Sequence, residues 1–293
     1  MKIRRLLFLT SIATLLFTIS GLQVHAQDCS KTDYDCKIAK YQAAVRADPN
    51  DVENYYSLGL AYQGKGDHTQ AVAMFDKYLA GSGIKAEYMA DGYSDRGYSR
   101  EKLGQLDMAV SDYSRAIQLV PTSLAFLRER GRAYNEQKNY SAALADFTKI
   151  FTMGGKESSD YFGRGMANME QQNNAIAIPD FTQVIALDPN EIEAFYNRGT
   201  CYYRTKQYEK AITDLDHYIS VNGAKDAFMA DGFENRGLAH FYLGHYSLAL
   251  ADFTKAIDLN PRKATYENRA MTYRKLGKVD LAVADEQTAS QLP

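Results

Sequence analysis

Six arginines are the residues whose spacing could do chemistry. Arg96, Arg130, Arg164, Arg198 and Arg236 each precede a glycine, and Arg269 precedes Ala270. A row of guanidinium groups on one face would bind anions through paired N–H donors. Yet each arginine is followed sixteen residues later by an aspartate: Asp112, Asp146, Asp180, Asp214, Asp252 and Asp285. In a seventh copy the arginine is replaced by Leu58, and the residue sixteen on is Met74. Both positions turn apolar together, which predicts that they touch. Pairing inside each copy accounts for all seven, whereas pairing with the preceding copy would set Arg96 against Met74. The expected role is a structural ion pair between two packed helices, each arginine already holding its acid.

The remaining reactive side chains are few. Cys29 and Cys36 lie close together and would pair in an oxidising compartment. Cys201 falls where the other copies carry Ala61, Ser99, Ala133, Ala167, Ala239 and Thr272, so it reads as a small packing residue. His240 and His245 are five apart, a spacing that does not set two ligands on one helix face. Gly64-Lys65-Gly66 and Gly81-Ser82-Gly83 fall at turns between helices and lack the strand that a phosphate loop follows. No catalytic, cofactor-binding or metal-ligating residue is assigned, no cofactor is expected, and the chain reads as a non-enzyme.

Composition bounds the partners. The chain has 293 residues, 45% of them hydrophobic, with a formal net charge of −2. No block of Lys and Arg is dense enough for nucleic acid. Residues 1–26 have the form of a signal peptide. Lys2, Arg4 and Arg5 precede an apolar run from Leu6 to Ile19, and Val24-His25-Ala26 supplies small residues for cleavage. Cleavage after Ala26 removes three positive charges and takes the net charge from −2 to −5. The mature chain would start at Gln27 and be exported, periplasmic or secreted, with no membrane span. The alternative is a retained anchor, although the run is short of the roughly 20 residues that span a bilayer.

The ion pairs must be positioned by helices. Residues 27–51 form an N-terminal segment with one helix over Lys37 to Ala47. Seven units follow, at about 52–89, 90–123, 124–157, 158–191, 192–229, 230–262 and 263–293. Each carries an aromatic or leucine four before the key glycine or alanine, and an alanine twelve after it. Most also place a large apolar residue sixteen after it, which suits two amphipathic helices. Gly66, Gly104, Gly244 and Gly277 mark where the first helix turns, and Pro121, Pro189 and Pro261 where the second stops. Pro179 falls early in a second helix, where it would give a slight kink. Glycine-to-glycine steps are 34 residues from Gly97 to Gly199 but 38 from Gly59 to Gly97 and from Gly199 to Gly237. Gly83 to Pro121 resembles Gly223 to Pro261, offset by 140 residues, so a four-unit block reads as duplicated. Both four-residue expansions should lengthen the start of the following helix. The last unit has Glu286 and Gln287 where others stack apolar residues, predicting a polar terminal face.

This pattern resembles the tetratricopeptide repeat, a helix–turn–helix unit of 34 residues, over residues 52–293. The resemblance implies an all-α, right-handed superhelical solenoid whose first helices line a concave face and whose role is protein binding. Family positions three before the glycine and one and four after it then form a groove. Here they include Tyr98, Arg128, Arg132, Phe162, Met166, Met169, Tyr196, Tyr203, Leu238 and Phe241. The apolar residues would bury a peptide or partner helix, and Arg128 and Arg132 would take an acidic group on it. Alternatively these side chains pack between neighbouring first helices. No unit supplies the Lys and Asn of the carboxylate clamp found in chaperone-binding relatives. Two other roles stay open: a self-associating structural array, and an accessory subunit of an envelope enzyme or assembly machine.

Overall fold

The computed structural model describes residues 29–222 and 228–292, which contain fifteen α-helices and no strand. The proposed leader, 1–26, lies outside the described residues. A lone helix, α1 (Tyr34–Ala47), is followed by seven antiparallel pairs. These are α2 (Val52–Lys65) with α3 (His68–Leu79), α4 (Ala86–Lys102) with α5 (Leu106–Leu119), and α6 (Leu124–Glu136) with α7 (Tyr140–Thr152). Next come α8 (Ser158–Glu170) with α9 (Asn174–Leu187) and α10 (Ile192–Arg204) with α11 (Tyr208–Asn222). The last two are α12 (Met229–Tyr242) with α13 (Tyr246–Leu259), and α14 (Lys263–Lys275) with α15 (Val279–Gln291). The lone helix starts three residues before Lys37, because the Asp33 side chain accepts from the Cys36 backbone N–H and caps it there. Cys36 is disulfide-bonded to Cys29, tying the leading segment to this cap.

The turns inside the pairs share one geometry. Seven residues after each key glycine or alanine the backbone is left-handed. Gly66, Gly104, Gly244 and Gly277 supply it at four turns, while Lys138, Gln172 and Lys206 adopt it at the others. The next N–H reaches back to close the helix end in every case, as from Asp67 to the Tyr62 carbonyl and from Asn139 to that of Tyr134. Tertiary packing therefore imposes the turn even where a side chain disfavours it.

Packing follows the small and large positions. Phe75, Tyr113, Phe147, Phe181, Leu215 and Phe253 are essentially fully buried on second helices. Each ring or branch presses on the glycine of its own first helix, so that a Cβ at Gly199 would lie 2.9 Å from Leu215 Cγ. Successive first helices touch one another from α2 through α14, whereas among the described residues second helices form no comparable continuous layer. The first helices thus form the inner wall of the curve. The four-residue expansion does lengthen α4, which spans 17 residues where α6 and α8 span 13. Its counterpart precedes Met229 and runs through 223–227, outside the described residues. Pro179 sits in the second turn of α9. At the C-terminal end Glu286 is ion-paired with Arg274, yet Leu276, Val279 and Val283 are exposed as well. The terminal face is mixed rather than polar, because α15 keeps the apolar positions that earlier repeats stack on a successor.

Candidate functional site

The arginines and aspartates come together in all six pairs. Arginine Nε donates to aspartate Oδ2 at 2.7–3.0 Å and Nη2 to Oδ1 at 2.6–2.8 Å. Asp112, Asp146, Asp180, Asp214, Asp252 and Asp285 are buried beneath partly exposed arginines. In the first repeat Leu58 is buried and Met74 packs on its cluster.

A further contact was invisible in the sequence pattern. The third nitrogen, Nη1, reaches the second helix of the preceding repeat. Arg96 donates to Asp76 and Arg236 to Asp216, each at 2.6 Å, while Arg130 donates to Ser114, Arg198 to Thr182 and Arg269 to Thr254. Arg164 instead lies over the Phe151 ring, 3.7 Å from its centroid. Each arginine therefore joins its own hairpin and fastens it to a neighbour. The acceptors all lie seventeen after the preceding glycine, a period that could have been read had stacking been known. The Asp76 and Asp216 contacts are 140 residues apart, as are the Tyr78 and Tyr218 rings on Gly92 and Gly232. The duplicated block therefore repeats in side-chain contacts.

The candidate groove is more divided than its spacing suggests. Phe162 and Met166 are half-buried and line a cavity of about 680 Å³ between α6 and α8, together with Arg128 and Arg132. Met169 is only 5% exposed and belongs to the core around Phe181 and Cys201, so it drops out of the groove. Tyr196 packs near the Tyr218 and Phe228 rings, and burial pushes its hydroxyl up to about 12. Tyr203 lies beside Tyr208 and Tyr242, again with its hydroxyl pushed up to about 12 by burial. Phe241 meets Tyr242 and Tyr246 edge-on. Leu238 and Tyr98 are half-buried, the latter edge-on to His68. These aromatics bridge neighbouring helices as much as they line a surface.

Arg128 and Arg132 require a correction. Arg128 binds Asp160, which is wholly buried, at 2.7 and 3.3 Å, and it also meets Glu157. Arg132 binds Glu101 at 2.9 Å and Glu129 at 2.6 Å. Arg128 is thus held by carboxylates at the start of α8, and Arg132 by Glu101 on α4 and Glu129 on its own helix, so resident acids already face both groups where an acidic ligand was expected.

The histidine pair does not share a helix face, yet its rings meet across a turn. The turn between α12 and α13 brings His240 Nδ1 and His245 Nδ1 to 3.4 Å, which one helix could not do. Burial lowers the His240 pKa below its ordinary 6.5; Arg236 and His245 lower it too, against Asp252 and Asp216. An unfolded histidine binds a proton near 6.5 while the folded one resists, so stability present above that pH is lost as pH falls through it. We expect the loss of stability between about pH 7.5 and about 5.5 to be smaller in His240→Gln than in the parent. Equal losses in paired denaturation curves would show that this histidine titrates freely.

Comparison with known proteins agrees with the geometry. Three family models described as tetratricopeptide repeat match residues 40–73, 94–152, 162–227 and 230–263. The chain belongs to the tetratricopeptide repeat proteins, a family of α-solenoid scaffolds for protein partners. Its fold is similar to that of a tetratricopeptide repeat protein from Parabacteroides merdae, with 20% identity, a TM-score of 0.58, and coverage of 83% of this chain and 93% of that one. A second similar structure is YrrB, described as a TPR protein with an unusual peptide-binding site. It shows 21% identity and a TM-score of 0.53, over 60% of this chain and 89% of YrrB. The human Tetratricopeptide repeat protein 13 is 28% identical over 121 residues, which are 41% of this chain and 14% of that protein. The human DnaJ homolog subfamily C member 7 is 27% identical over 135 residues, or 46% of this chain and 25% of its own length. The chain thus spans a quarter or less of these two relatives.

Proposed function

We propose that the protein is an exported scaffold that binds a segment of a partner protein in its concave groove and performs no chemistry of its own. The observation that carries this reading is the cavity of about 680 Å³ walled by Phe162 and Met166 on first helices. It falls within the roughly 300–1,000 Å³ typical of ligand sites, and its apolar wall offers area to bury. A structurally similar protein, YrrB, is described as having a peptide-binding site. Export rests on the leader pattern of residues 1–26 and on the Cys29–Cys36 disulfide, a bond that persists in oxidising compartments.

Capture from an extract of the source, run beside a Phe162→Ala/Met166→Ala variant of unchanged helicity, tests the groove. A partner retained by the parent and lost by the variant is expected; equal retention by both would place binding elsewhere. Mass analysis of the purified protein should give a chain starting at Gln27, and a retained leader would overturn cleavage. Self-association is the second reading, favoured by exposed Leu276, Val279 and Val283 at the C-terminal end. It requires a solution mass that rises with concentration.

A further inference from the structure

The charge around the cavity selects a partner chemistry. Two arginines line it against five carboxylates: Glu129, Glu136, Glu157, Asp188 and Glu191. Arg128 and Arg132 are already held by acids, including Asp160 and Glu101 behind the wall. Among the described residues Glu136, Asp188 and Glu191 form no salt bridge. The side-chain oxygen of Asn135, buried at the same wall, accepts no hydrogen bond, while its nitrogen donates to the Gly163 carbonyl at 2.9 Å. Carboxylates thus outnumber cations at the cavity wall.

We propose that this cavity receives a basic segment of the partner protein, with lysine or arginine heads at Glu136, where α6 ends, and at Asp188 and Glu191, in the turn before α10, and with their aliphatic stems against Phe162 and Met166. The proposal rests on the groove reading and specifies its ligand. A long basic side chain suits a site that is apolar within and acidic at its rim, because stem and head have opposite needs. Burial, the largest cause, raises the carboxyls of Glu129, Glu136 and Glu191; Glu101 adds to this on the first two against Arg132 and Lys102, and Glu193 and Asp188 add to it on Glu191. A cation would relieve that repulsion, and an acidic ligand would add to it.

The test uses three fluorescein-labelled octapeptides in which leucine alternates with lysine, glutamine or glutamate. Anisotropy is titrated against the purified protein. Saturable binding of the lysine peptide alone is expected, weakened by about tenfold or more in Glu136→Gln/Glu191→Gln. It should also be weakened by Phe162→Ala/Met166→Ala and unchanged by Glu209→Gln/Asp258→Asn, which removes two exposed charges from second helices. Circular dichroism checks that each variant folds. Equal weakening by the control pair would reduce the effect to general charge and overturn the proposal. Glutamate or glutamine peptides binding as tightly, through Phe162 and Met166, would overturn the basic specificity and leave the groove standing. Binding indifferent to Phe162→Ala/Met166→Ala would overturn both, and no saturable binding of any peptide would overturn the basic-segment proposal.

Discussion

Replacing Asp214 with alanine should destabilise the folded chain by about 3 kcal/mol, at the lower end of what stranding a buried charge costs. Asp214 is 4% exposed and accepts from Arg198 at 2.7 and 2.8 Å. Without it, the guanidinium keeps one hydrogen bond, to Thr182 at 3.2 Å, and its place 5.8 Å from the Phe195 and Tyr202 ring centroids. The Arg198 side chain is 16% exposed, so water reaches part of it and limits the penalty. The double change Arg198→Leu/Asp214→Met should recover most of the loss. It copies Leu58 and Met74 of the first repeat, where Met74 packs on the cluster that holds Leu58. Thr182 would not be orphaned, because its hydroxyl also donates to the Ile178 carbonyl. An apolar replacement of a buried pair is often neutral, since desolvating two charges offsets much of their attraction. Urea titration of the three variants reads this out. A single change costing only a few tenths of a kcal/mol would mean that the pair competes poorly with water. A double variant as weak as the single would mean that ionic geometry itself orders the hairpin.

Truncating Phe181 should cost as much or more, about 3–5 kcal/mol in the Phe181→Ala variant. The ring is 0% exposed, and its neighbours Ala167 and Ala177 are too short to fill the space it leaves. Phe162 stands edge-on to it at 5.9 Å, so the loss would also loosen the wall of the cavity. Repeat arrays hold together through nearest-neighbour interfaces, and a weak centre uncouples the halves. We therefore expect a broadened denaturation transition besides a lower midpoint. Phe181→Leu should cost less than about 1.5 kcal/mol, since the next repeat holds Leu215 at the same position, equally buried. A loss below about 1 kcal/mol for Phe181→Ala would show that the hairpins close over the gap.

Two facts set the sign of the groove. First helices form the inner layer, and the acids that reach the cavity come from α6, the start of α8 and the turn between α9 and α10. Two arginines that looked like anion receptors are absorbed by Asp160, Glu101 and Glu129. An inward arginine is thus no guide to a ligand until its partners from the adjoining repeats are counted.

The sequence by itself determined what recurs within one repeat. The thirty-four-residue register, the spacing of small and large residues around each glycine, and the Arg–Asp pairs were legible because the same pattern is repeated several times. Leu58 and Met74 changing together supplied the evidence of touch. Only the tertiary structure decided what lies between repeats. The Nη1 contacts to Asp76, Ser114, Thr182, Asp216 and Thr254 depend on how far one hairpin rotates on the last. So do the burial of Met169, the capture of Arg128 and Arg132, and the meeting of carboxylates at one cavity. The approach of His240 to His245 depends instead on the path of one turn. Helical periodicity fixes which face a side chain takes. The stacking angle, set by the summed packing of large against small residues, fixes what that face meets.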